Sequence, residues 1–152
     1  LDRPTPINGD AEASDKKRYD GSHIYNRAYA TRTGEAIAAE FDILRDYSME
    51  KYEFDLVAEK KLLELVAWIQ KNGVKVIFVL PPYHPNLYSL IADEKQVILN
   101  IEDRFRDLAQ KYGVELVGSY DPRRVGCSKS EFYDGMHPTS ACMTKVFSNL
   151  TK

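Results

Sequence analysis

Residues 74–80 read VKVIFVL, a nearly continuous apolar run between Gly73 and Pro81. The run is rich in β-branched side chains, and only Lys75 interrupts it. A segment this short, bounded by glycine and proline, predicts a strand rather than a helix. Its lack of polar alternation predicts burial on both faces, as in a parallel sheet.

The flanks carry the other half of that rhythm. Residues 52–73, YEFDLVAEKKLLELVAWIQKNG, place Phe54, Ala58, Leu62, Leu65 and Ile69 on one helical face. Glu53, Glu59, Lys60 and Glu64 supply the polar side, and Gly73 suits a C-terminal cap. Trp68 and the Leu62–Ile69 face are assigned to the core. After the strand, PPYHPNLY (residues 81–88) reads as a loop. A helix is expected over residues 94–112, with Val97, Ile101, Phe105, Leu108 and Tyr112 on one stripe and Gly113 ending it. VELVGSY (residues 114–120) is a second strand, and residues 121–137 form a long loop. Pro138 opens a final helix, because proline is tolerated in a first turn, and Cys142, Val146 and Phe147 would face the core.

Upstream, residues 33–47 predict a helix with Thr33 as N-cap and Ile37, Phe41 and Leu44 at helical spacing. Residues 1–30 lack apolar periodicity and read as an irregular arm, which the tyrosines Tyr19, Tyr25 and Tyr29 would pin to the core. The alternation of helices and strands predicts an α/β fold, a parallel sheet flanked by helices. Residues 31–152 would then be the body of a single domain. Two strands make a small sheet, so a further strand is expected in the arm or upstream of Leu1.

With 43% hydrophobic and 29% charged residues, the chain can bury one core and is not a disordered tail. A net charge of −2, with both signs interspersed, gives no nucleic-acid footprint. No apolar run approaches the roughly 20 residues that cross a bilayer. The two cysteines, Cys127 and Cys142, admit two readings. A disulfide would imply an oxidising, extracytoplasmic compartment. Two small buried thiols would suit the cytoplasm.

Ligands of parallel sheets collect beyond the carboxyl ends of the strands. Two histidine-bearing segments lie there, PPYHPN (residues 81–86) and FYDGMHP (residues 132–138). In the first, Tyr83, His84 and Asn86, with Tyr88 nearby, are candidates for substrate contact, against a plain loop histidine between prolines. In the second, Asp134 and His137 stand three residues apart on a turn. That spacing lets a carboxylate fix one imidazole nitrogen while the other faces a nucleophile. The alternative is structural, since Asp-Gly favours turns and either side chain can cap a following helix. A metal site from His23, His84, Asp134 and His137 is a further reading, although their separations carry no metal-ligand spacing. Arg123 and Arg124 either meet an anionic group or belong to a solvated loop.

FYDGMHPTSA after a buried strand and loop resembles the C-terminal block of SGNH (GDSL-type) hydrolases. VKVIFVLPPYHP is similar to a late parallel strand of that family. The resemblance covers about residues 50–152. It implies a flavodoxin-like fold and a serine ester hydrolase or O-acyltransferase, with His137 as general base and Asp134 as its orienting partner. The implied substrate is an acylated small molecule or carbohydrate, and no cofactor is expected. The family's Gly-Asp-Ser and Gly-x-Asn-Asp segments are not in the sequence. Asp20-Gly21-Ser22 is no substitute, because the polar residues before it do not form a strand end. The expectation is therefore that this is the C-terminal part of such a domain, incomplete at its N-terminus, with the nucleophile upstream. Two alternatives stand beside it: a non-catalytic binding domain of the same fold, and a metal-dependent hydrolase.

Overall fold

The computed structural model describes residues 16–17, 19, 23–41, 54–95, 97–148 and 150. Among them the expected parallel pair is present. β3 (Ile77–Leu80) runs parallel to β4 (Glu115–Gly118), in a register that sets Phe78 beside Leu116 and Leu80 beside Gly118. The arm contributes a separate antiparallel pair, β1 (Lys16–Lys17) and β2 (His23–Ile24). The fold is therefore mixed α/β, with a small two-stranded parallel sheet flanked by helices.

Two short helices follow β2. α1 (Arg27–Ala30) starts at Asn26, whose side chain accepts from the Tyr29 N–H at 2.9 Å. α2 (Gly34–Ala38) starts at Thr33, the expected N-cap. Its Ile37, together with Phe41, enters the core, while Leu44 lies outside the described residues. α3 (Leu56–Lys71) is capped by Asp55, which accepts from the N–H groups of Val57 and Ala58.

Two helices occupy residues 85–95 and 97–112. α4 (Pro85–Lys95) was expected to be loop and helix start; α5 (Val97–Tyr112) lies in the predicted helix, but it buries Ile98, Glu102, Leu108 and Ala109, so of the expected stripe only Leu108 is fully buried. Pro85 opens α4, where its missing N–H removes no helical hydrogen bond. Leu87, Tyr88 and Ile91 then recur at helical spacing and are buried with Ile37, Phe41 and Ile98 in one cluster. A second cluster joins Val66 of α3, Ala109 of α5 and Val114, with Leu62, Val76, Phe78 and Leu116 packed against it. One sheet face is thus covered by α3 and α5.

Three expectations need correction here. Trp68 is 63% exposed, and Leu65 is exposed as well. Val66 is the buried residue of α3, and at 100° per residue Trp68 lies about 200° from it, almost on the opposite face. The helix carries apolar residues on more than one face, so the stripe chosen by spacing was the wrong one. Val79 is partly exposed, so β3 is not sealed on both sides. Finally, the last helix, α7 (Ser140–Phe147), begins after Thr139, while Pro138 makes an isolated antiparallel bridge to Phe132. Cys142 and Val146 face inward as expected, but Phe147 is exposed.

The end of β4 is fixed from two sides. Glu102 of α5, 4% exposed, accepts from the Ser119 hydroxyl at 2.8 Å, the Tyr120 N–H at 2.8 Å, Arg106 at 2.6 Å and Arg124 at 3.2 Å. Arg106 also donates to the Gly118 carbonyl at 3.1 Å. Gly118 has φ +86°, and a Cβ there would run into the Leu80 carbonyl of the neighbouring strand. Both the left-handed backbone and the strand contact require glycine. Gly118→Ala is expected to cost about 2–3 kcal/mol of stability. A urea midpoint that does not move would refute this.

Candidate active site

The carboxyl ends of β3 and β4 are stitched to the Asp134 loop. The Tyr83 N–H donates to the Tyr120 carbonyl at 3.1 Å, and the His84 N–H donates to the Gly135 carbonyl at 2.9 Å. The loop is itself a tight hairpin. The Tyr133 N–H donates to the His137 carbonyl at 2.9 Å, and the Thr139 N–H to the Glu131 carbonyl at 2.8 Å. Behind it, α6 (Pro122–Val125) and a 3-10 turn (Lys129–Glu131) occupy what was expected to be continuous loop. Cys127 and Cys142 are joined in a disulfide with Cα atoms 5.3 Å apart, so the hairpin is anchored to α7. Phe132 packs against this bridge.

Within the hairpin the two oxygens of Asp134 have separate tasks. Oδ1 accepts from the N–H groups of Met136 at 2.7 Å and His137 at 2.8 Å, which shapes the turn. Oδ2 faces His137 Nδ1 at 2.7 Å. The turn-forming and histidine-orienting readings therefore hold together in one carboxylate. Neither residue caps α7, which starts beyond them at Thr139.

Asp134 is buried, whereas the His137 side chain is 54% exposed. Among the described residues no group hydrogen-bonds His137 Nε2. Burial pushes the Asp134 carboxyl up, but hydrogen bonds from His137, Tyr29 and the Met136 N–H outweigh it and hold the group well below the usual carboxylate range. The hydrogen bond to Asp134 raises His137 against a smaller opposing effect of burial.

The arm reaches this pair. The Tyr29 hydroxyl donates to Asp134 Oδ2. Tyr25 stacks on Tyr29 at 4.8 Å, meets Tyr133 at 4.9 Å and lies 5.7 Å from the His137 ring. Tyr25 and Tyr29 thus dock the arm as expected, but Tyr19 is fully exposed. The bond from Tyr29 links residues 105 positions apart, and no local sequence signal points to it.

The other candidates fall elsewhere. His84 is buried, its Nδ1 accepts from the Asn86 N–H at 3.2 Å, and its ring packs between Phe41 and Phe132. Burial, helped by nearby Lys129, lowers its pKa against the pull of Asp134. Its ring is a packing group in this structure, closed over by the two aromatics. Tyr83 is half-buried against the first core cluster and faces Tyr120 at 5.7 Å. Asn86 is exposed in the first turn of α4. Ser22 lies outside the described residues. Arg123 pairs with Asp121 at 2.8 Å and Arg124 with Glu102, so both serve the scaffold. Among the described residues no three His, Cys, Asp or Glu side chains gather to hold a metal ion, and no free cysteine is found. No described helix is long and apolar enough to cross a membrane.

The pair sets a pH signature. Asp134 titrates lower folded than unfolded, so its contribution is present above about pH 4 and lost as pH falls toward the folded value. His137 titrates higher folded, so its contribution is complete below about pH 6.5 and lost as pH rises through the folded value. His84 acts in the opposite sense, losing stability as pH falls below about 6.5. The difference in unfolding free energy between wild type and Asp134→Asn is therefore expected to peak between about pH 4 and 6.5. A difference that does not fall off on either side of that window would exclude the coupling.

Comparison with known proteins finds no matching family model, no similar curated protein and no similar solved structure.

Proposed function

We propose that this chain carries the base–acid half of a serine acyl-transfer site of the SGNH (GDSL-type) kind. In this reading the protein is an ester hydrolase or O-acyltransferase. The observation that carries it is the 2.7 Å contact of His137 Nδ1 with Asp134 Oδ2, on an imidazole whose side chain is half exposed, at the carboxyl edge of a parallel strand pair. Nε2 is the atom that takes the proton from a serine hydroxyl and later returns it to the leaving group. The finer fold in this reading is flavodoxin-like, with β3 and β4 as two of its late strands.

The nucleophile is a serine on a strand end outside these 152 residues, since no Gly-Asp-Ser segment occurs within them. The substrate is an acylated small molecule or carbohydrate. The Cys127–Cys142 bond favours an oxidising compartment. A fluorophosphonate probe on the full-length protein tests the proposal. Covalent serine labelling that requires His137 supports it. No labelling would favour a binding domain that has kept the pair for its turn.

A further inference from the structure

We infer that Tyr29 is a positioning residue for the Asp134–His137 pair, its phenol sharing Asp134 Oδ2 with the imidazole Nδ1. The inference rests on reading that pair as base and acid. The carboxylate has four donors: two backbone N–H groups on Oδ1, and His137 and Tyr29 on Oδ2. The first two fix where the carboxylate sits. The phenol, from the arm, adds a second donor on the oxygen that faces the imidazole.

Tyr29 is itself held. The Asn26 side chain accepts from its N–H, the Tyr25 ring stacks on one side, and the Arg32 guanidinium lies 4.8 Å from its ring centroid. Arg32 is tied in turn to Glu40. Burial and the Asp134 carboxylate push the phenol far above its ordinary pKa, so it remains a donor at every pH where the histidine titrates. Among the described residues, other titratable or charged groups near the pair are Tyr25 and Tyr133 beside the rings, His23 against Tyr25, Arg32 with Glu40 behind Tyr29, and buried His84 near Asp134.

A second donor on the same oxygen has a definite electrostatic consequence. It draws negative charge away from the bond to Nδ1 and weakens the hold of Asp134 on the imidazolium. Tyr29 thus tempers the basicity that Asp134 confers on His137. Tyr29→Phe keeps the ring contacts and removes only the hydroxyl. In an NMR titration of the His137 ring nitrogens, its midpoint is expected to move up from wild type. A fluorinated tyrosine at position 29, a stronger donor, is expected to move it down. Opposite shifts in the two variants support the inference. A Tyr29→Phe midpoint that stays put or falls overturns it, and so does a fluorotyrosine midpoint that rises or stays put. The titration needs no substrate or nucleophile. A silent result sinks the role of Tyr29 alone, whereas labelling that survives loss of His137 sinks the acyl-transfer reading and leaves the titration as it was.

Discussion

His137→Ala is expected to slow fluorophosphonate labelling of the full-length protein on the order of 10⁶-fold, and Asp134→Asn on the order of 10⁴-fold. The order of the two effects matters as much as their size. In the acyl-transfer reading, loss of the imidazole leaves the serine proton without an acceptor at the hairpin, because Asp134 is buried and its oxygens are committed to four donors. Without the carboxylate charge, the imidazole remains but loses the partner that fixes its tautomer. The wild-type rate should rise with pH through a midpoint above the ordinary histidine value, since only the neutral ring is a base and Asp134 raises its pKa. Gel fluorescence against time gives all three rates. Equal rates in wild type and His137→Ala would remove His137 from the chemistry.

Glu102→Ala should be the most damaging substitution for stability, at about 3–5 kcal/mol. The carboxylate is buried and collects the Ser119 hydroxyl, the Tyr120 N–H and two arginines where β4 ends. Alanine strands the Ser119 hydroxyl and the Tyr120 N–H away from water, and each orphaned group costs about 1–3 kcal/mol. The arginines, more exposed, recover hydration. Glu102→Gln keeps the shape and an acceptor, so its cost should be about half as large. Chemical denaturation of the three proteins separates these values. A Glu102→Ala cost no greater than that of a surface substitution, about 0.5 kcal/mol, would show that the network does not hold β4.

Local signals in the sequence proved readable. The β3 run between Gly73 and Pro81, the Thr33 cap and the Asp134–His137 spacing each depend on neighbours in the chain, and each has its counterpart in the structure. What failed depended on distant partners or on choosing between equivalent faces. α3 has apolar residues nearly all round, so only packing against Ala109 and Val114 decides that Val66 turns inward and Trp68 outward. α4 was hidden because Pro81, Pro82 and Pro85 together suggest a loop, although Pro85 sits at a helix start. The burial of His84 was likewise hidden, because Phe41 and Phe132, which pack on its ring, come from remote segments. Tyr29 and Glu102 gain their partners only through the fold.

The Cys127–Cys142 bond closes the hairpin that bears Asp134 and His137 into a covalent ring. Residues 128–141, which include Asp134 and His137, leave and re-enter the body of the molecule at two points whose Cα atoms are 5.3 Å apart. The segment is a closed ring set on a scaffold. Changes of length or sequence inside the ring reshape the hairpin while the bond keeps its point of attachment in place. A cut peptide bond within it leaves both pieces on the same molecule.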